Sequence, residues 1–207
     1  MYARATAVRI DPSRIDQGIR KFNEVVPTLR PIPGYAGAAL LVNRDTGEGF
    51  GVTYWDTVAH MNAAEEAGLR ARQQSSEATG AEVTDVDRFD MVLVDRASDP
   101  IAPSFSRVNQ LYCDLDRLEE GIAFVRDKVV PNVSKQKGYL SLLLGVNRMT
   151  GRMVVTSNWR TAADRAASEA AVASQRAETA RILRADHVEV MPLEVAVVEV
   201  KQPTRTG

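Results

Sequence analysis

The sequence predicts an α+β protein built from two β-α-β-β-α-β units, each with its helices on one face of an antiparallel sheet. Three observations carry this. The stretch Gly34–Thr57 is written again as Gly138–Thr161, at a constant offset of 104. Val25–Thr57 and Val129–Thr161 share 13 identities in 33 positions, where average residue usage gives roughly two by chance. Hydrophobic periodicity alternates between strand-like and helix-like in the same order in both halves. A single such unit leaves one sheet face bare, a larger apolar surface than a monomer tolerates, so the two sheets are expected to pack face to face.

The elements follow in order. Tyr2–Ile10 has strand character, and Asp11-Pro12 supplies a capping carboxylate with proline at the first helical position. Ile15, Ile19, Phe22 and Val26 recur at i, i+4, i+7 and i+11, one apolar stripe, with Arg14, Asp16, Arg20 and Glu24 on the wet side. Pro27, Pro31 and Pro33 are expected to end this helix and lead through Gly34 into the strand Tyr35–Val42. Asn43–Gly47 reads as a hairpin turn, and a second strand, Gly49–Trp55, ends at Asp56-Thr57, which caps a helix through Met61, Ala64 and Leu69. Gln73–Gly80 reads as a polar loop or fraying helix end, and Arg88–Asp95 as the last strand.

The second unit repeats this with a strand Ser106–Cys113, a cap at Asp114 and a helix carrying Leu118, Ile122, Val125 and Val129. Its offset is 103, so one residue has been gained or lost inside this helix on the way to 104. A second helix, Ala162 to Leu183, is capped by Thr161, and a valine-rich strand, Val188–Val200, closes the unit. The predicted boundaries are domains at 1–96 and 105–207 joined by a linker at 97–104. Each domain has the ferredoxin-like order. The fold class is therefore two ferredoxin-like units forming a pseudo-dimeric α/β barrel.

Composition excludes several functions. Lys and Arg total 26 against 27 Asp and Glu, a balance that gives no field for nucleic acid or anionic membrane. Cys113 is the single cysteine, which rules out an internal disulfide, and MYARATAVRI lacks a signal peptide's pattern. A cytoplasmic protein, a monomer or weak homodimer, is expected. His60 and His187 are the two histidines and show no paired ligand spacing, so no metal site is expected. Gly47-Glu48-Gly49-Phe50-Gly51 follows a turn rather than opening a helix, which makes it a hairpin and not a phosphate loop.

The strand ends Tyr54-Trp55-Asp56-Thr57 and Asn158-Trp159-Arg160-Thr161 resemble those of the antibiotic-biosynthesis-monooxygenase family of dimeric α/β barrels. The resemblance covers both halves. It implies a cofactor-independent oxygenase whose apolar pocket orients a small aromatic or polyketide-like substrate. Asn158 and Trp159 match the family's pocket-side pair, with Tyr54 and Trp55 at the matching places in unit one. From their own positions, Asn109 on the first strand of unit two is a candidate to orient a ligand polar group, and Tyr54 with His60 offers a hydrogen-bond donor and a base near Trp55. The haem-degrading branch carries a Trp and a ligating His on the second helix; the matching places here hold Ala63 and Gln73, Ala167 and Ala177, so no haem is expected.

Each of these residues has a plainer reading. A strand-end Trp is also a core plug, and a His on a polar helix turn is also a solvated side chain. Two functions remain open: a small-molecule oxygenase, and a non-catalytic ligand-binding or interaction protein that keeps the barrel. The larger pocket is expected in unit one beside Trp55, because the alanine-rich second helix of unit two is expected to lie closer to its sheet.

Overall fold

The repeated residues sit where the backbone turns. In the computed structural model, which describes residues 1–185 and 187–200, Gly34 and Gly138 take φ of 78° and 75°, a left-handed conformation open to glycine at no steric cost. Their carbonyls accept from Asp56 N at 2.9 Å and Arg160 N at 2.8 Å, which ties the start of one strand to the end of the next. Asn43 Oδ1 accepts from Asp45 N at 2.9 Å and Thr46 N at 3.2 Å. Asn147 does the same for Met149 and Thr150 at the same two distances. Gly47 and Gly151, at φ of 75° and 74°, then close the two hairpins.

The first repeat runs β1 (Tyr2–Arg9), α1 (Ile15–Leu29), β2 (Tyr35–Val42), β3 (Glu48–Trp55), α2 (Val58–Ala63), α3 (Glu65–Thr79) and β4 (Glu82–Arg96). The second runs β5 (Ser104–Tyr112), α4 (Leu118–Phe124), α5 (Val130–Val133), β6 (Tyr139–Asn147), β7 (Arg152–Trp159), α6 (Ala162–Ala167), α7 (Glu169–Leu183) and β8 (Val188–Val200). The hydrogen-bonded strand order, β1-β3-β2-β8-β5-β7-β6-β4, returns to its start as a closed eight-stranded barrel.

The last strand of each repeat pairs with the hairpin of the other. Asp90–Arg96 of β4 runs antiparallel to β6, and Glu194–Val200 of β8 runs antiparallel to β2. These strands have 15 and 13 residues, about 45–50 Å at 3.4 Å per residue. The compact units follow the exchange: one is Met1–Arg88 with the chain from Glu194, the other Phe89–Leu193. Neither is a consecutive half such as 1–96 or 105–207.

Two local expectations are corrected and a third is located. Pro27 does not end the first helix, which continues through it to Leu29. The lost backbone bond and ring clash cost about 3 kcal/mol, and burial of Val26 and Leu29, about 1.5–3 kcal/mol each, offsets it. Gln73–Gly80 is not a loop: α3 continues to Thr79 and stops at Gly80, which is left-handed at φ of 70°. In the second repeat, Val125–Val129 is a π-helical turn joining α4 to α5. A π-turn is what one inserted residue makes of an α-helix, so the shift of offset from 103 to 104 falls there.

The two units differ in core. In unit two a continuous cluster runs from Leu111, Leu118 and Val125 through Leu142, Leu144 and Met153 to Trp159, Val172 and Leu183. In unit one the apolar residues form separate clusters, one around Val26, Tyr35, Trp55 and Met61 and another around Ile10, Ile15, Leu40 and Val42.

Candidate functional site

Unit one has a cavity of about 150 Å³ among α1, α3 and the sheet, partly open to solvent; the corresponding cavity of unit two is about 50 Å³. Side chains alternate along a strand, and the residues that reach the cavity are Arg4, Thr6 and Val8 on β1 and Gly51, Thr53 and Trp55 on β3. Register places Arg4 opposite Thr53 and Thr6 opposite Gly51. Ile19 and Phe22 of α1 and Gly68, Ala71 and Arg72 of α3 form the other wall. Ile19 and Phe22 are only half-buried, although they lie on the apolar stripe, because they face the void.

Position by position, the void follows from side-chain size. Where unit one has Gly51, Gly68 and Thr79 at the cavity, unit two has Val155, Val172 and Leu183 at the offset of 104. All three of those are buried, and Leu183 is 0% exposed. The larger cavity lies beside Trp55, but small residues in unit one and bulky ones in unit two make the difference, rather than the alanines of the second helix.

The chemistry of the wall centres on Arg4, which is 3% exposed. Its Nη2 donates to Met61 O and its Nη1 to Ala64 O at 3.5 Å, satisfying carbonyls freed where α2 breaks into α3. Arg4 Nη2 also lies 2.9 Å from Glu65 Oε2. Glu65 further pairs with Arg72 and Arg88, each at 2.8 Å. Burial lowers the Arg4 pKa and Glu65 opposes that; a guanidinium stays charged. Burial pushes Glu65 upward, and hydrogen bonds from Arg72 and Arg88 with the charge of Arg4 outweigh it, holding the carboxyl below its usual range. Arg4 Nε is buried without a hydrogen-bond partner.

The structure separates the residues that the sequence grouped. Trp55 lies at the unit-one cavity, 1% exposed, with its ring edge on Tyr35 at 5.8 Å and its Nε1 donating to Thr53 Oγ1 at 3.1 Å. Asn109 lines the smaller cavity of unit two and donates to Val155 O at 3.3 Å. Tyr54 and Asn158 lie on the sheet face opposite the cavities, since their strand neighbours take the inner face; Asn158 hydrogen-bonds Ser106 and Ser141 there.

His60 is not on the cavity wall: its side chain is 41% exposed and its Nδ1 lies 2.7 Å from Asp56 Oδ1. That hydrogen bond lowers the Asp56 pKa. Trp159 is 0% exposed and does not reach the cavity; it packs edge-on against Tyr139 at 5.9 Å, with Arg107 over its ring at 5.9 Å.

Ala63, Gln73, Ala167 and Ala177 all point to solvent. The helix positions that face the unit-one cavity are instead Ala64, Gly68, Ala71 and Arg72, and no imidazole, thiol or carboxylate reaches its wall. Those residues and that volume do not fit a ligated haem. Among the described residues no cluster of His, Cys, Asp and Glu could hold a metal ion, and no helix is long and apolar enough to cross a membrane.

The strand order and helix placement define the class: the chain has the fold of the dimeric α/β barrels related to antibiotic-biosynthesis monooxygenases. A candidate monooxygenase from Fusobacterium nucleatum is similar to it, with a TM-score of 0.74 at 12% identity over 97% of this chain and 94% of that one. An anthrone oxidase-like protein is similar with a TM-score of 0.71 at 11% identity, over 98% and 94%. By sequence, the chain is similar to an uncharacterized protein of Mycobacterium tuberculosis, 29% identical over 207 residues, 98% of this chain and 86% of the relative. A second uncharacterized protein of that organism is 27% identical over 160 residues, 77% and 71% of the two chains. No family model matches the chain.

Proposed function

We propose that the protein is a cofactor-independent oxygenase of a small aromatic compound, with its site in the unit-one cavity. The observation that carries this reading is the void of about 150 Å³, walled by Trp55, Phe22 and aliphatic side chains with a few polar groups. A void of that size lined by apolar side chains accepts a single benzene ring, so a one-ring phenol or quinol fits better than a polyketide-like substrate. The likeness to candidate monooxygenases and to an anthrone oxidase-like protein supports the same class.

The reaction balances without a reductant. A quinol and dioxygen give a hydroxyquinone and water: one oxygen atom stays on a ring carbon, the other leaves with two hydrogens, and all four electrons come from the quinol. Arg4, Thr6 and Thr53 orient the substrate oxygens, and Trp55 and Phe22 flank the ring. No base reaches the wall, so the protein itself offers no proton acceptor there.

That lack of a base also favours a second reading, a binding protein that holds the same aromatic compound without reacting it. Calorimetry with hydroquinone, followed by oxygen uptake, tests both. Binding with oxygen consumption and hydroxyquinone product supports the oxygenase. Binding alone supports the second reading. Binding unchanged by Gly51→Val, which takes up part of the void, places the ligand elsewhere and overturns both.

A further inference from the structure

We propose that the unit-one cavity selects its aromatic ligand as an oxyanion, a phenolate or an arenecarboxylate, held by the Nε–H of Arg4. The inference rests on the proposed aromatic site and adds the charge of its occupant. Arg4 lines the cavity, is 3% exposed, and has a buried Nε with no partner in the protein. A buried N–H of a charged group without an acceptor is costly, and a ligand oxygen in the adjacent void supplies one.

Unit two provides the comparison. Arg107 is the counterpart of Arg4, at an offset of 103, and is 5% exposed. Its Nε pairs with Glu169 Oε2 at 3.0 Å, and its cavity has about a third of the volume. The unpaired donor and the large void therefore occur together, in unit one.

Charge points the same way. Three guanidinium groups, Arg4, Arg72 and Arg88, surround the single carboxylate of Glu65. Arg4 and Arg72 reach the cavity wall, and no carboxylate does. An anion entering there meets two guanidinium groups and no carboxylate at a mostly apolar wall, where attraction is stronger than in bulk water. Thr6, also buried at the wall, adds a hydroxyl on the same strand face as Arg4. A planar guanidinium edge suits a carboxylate or phenolate oxygen.

The test is calorimetry of the full chain with toluene, benzoate and 4-nitrophenol, the last titrated across its ionisation. The expected result is that benzoate or 4-nitrophenolate binds at least tenfold tighter than toluene, with 4-nitrophenol affinity rising as it ionises. The two anions separate the carboxylate source from the phenolate source. Arg4→Gln is expected to lower anion affinity tenfold or more and leave toluene unchanged; if that variant fails to fold, the comparison in the native chain still decides.

Toluene binding as tightly as both anions, or neutral 4-nitrophenol binding tighter than its anion, overturns the oxyanion inference and leaves the aromatic cavity standing. Absence of binding by all three, or binding unchanged by Gly51→Val, overturns both.

Discussion

Gly51→Val converts one wall of the unit-one cavity into the wall that unit two already has, since Val155 stands at the matching position. Gly51 has no left-handed backbone requirement, and a Cβ built on it meets Phe22 Cε2 at 3.4 Å, ordinary contact. Each methyl group that a valine places on the apolar wall of this cavity is worth about 0.8 kcal/mol of burial. Filling part of the cavity, and replacing glycine in a strand by a β-branched residue, is expected to stabilise by about 1–2 kcal/mol. For a chain of this length that raises Tm by about 2–8 °C. Binding of the aromatic ligand, measured by calorimetry on the same preparation, is expected to fall at least tenfold. Stability gained as binding is lost marks a void kept for an occupant. A lower Tm with unchanged affinity would show that the cavity is not where the ligand sits.

Other substitutions test the surroundings. Thr57→Ala removes the hydroxyl that accepts from His60 N at 3.1 Å and caps α2, and is expected to cost about 1 kcal/mol, read by urea unfolding. Glu65→Gln releases three arginines and is expected to change the acid limb of stability. The folded carboxyl lies below its usual range, so Glu65 contributes stability above the unfolded-state carboxylate pKa and loses it as pH falls through the folded value. The variant should therefore lose less stability than the native chain between pH 6 and pH 3, roughly the range spanned by carboxylate titration. His60→Ala removes an exposed side chain away from the cavity wall and is expected to change stability by about 0.5 kcal/mol or less, with ligand binding unchanged; weakened binding would return His60 to the site.

The fold was legible because it rests on local rules that repeat. Glycine at left-handed positions, asparagine in hairpin turns and threonine at helix caps are readable from single residues, and both copies carry them. Strand exchange was not legible, since β4 and β8 look alike in composition and nothing local says which hairpin each joins. The cavity wall was legible in part. Trp55, conspicuous at a strand end, lines the unit-one cavity, but Tyr54 and Asn158 sit one residue away from Trp in strands whose faces alternate, and so point away from the cavities. Arg4 was missed although a signal existed: a charged residue in the middle of YARATAV, at a cavity-facing position, matched by Arg107 in SFSRVNQ. Comparison of the repeats beyond Val25–Thr57 would have paired Arg4 with Arg107, Glu65 with Glu169 and Arg72 with Arg176.

That pairing separates what the arginine does for the fold from what it does for a ligand. In unit one Arg4 satisfies Met61 O and Ala64 O; in unit two Arg107 donates to Arg165 O and Ser168 Oγ, the matching positions. Both seal a break in the second helix against the sheet, so the buried charge has a structural reason wherever the break occurs. A ligand site needs two further conditions, a free donor and space beside it. Unit two has about a third of the space and no free donor: Val172 occupies the place of Gly68, and the Nε of Arg107 is spent on Glu169. At Gly68 an added Cβ would lie 2.9 Å from Arg4 Nη1 and 3.2 Å from Arg72 Nη1, so in unit one glycine lets the guanidinium groups lie against α3. The larger cavity therefore goes with small side chains around a structural arginine where the other unit has bulky ones, and that difference brings no base to its wall.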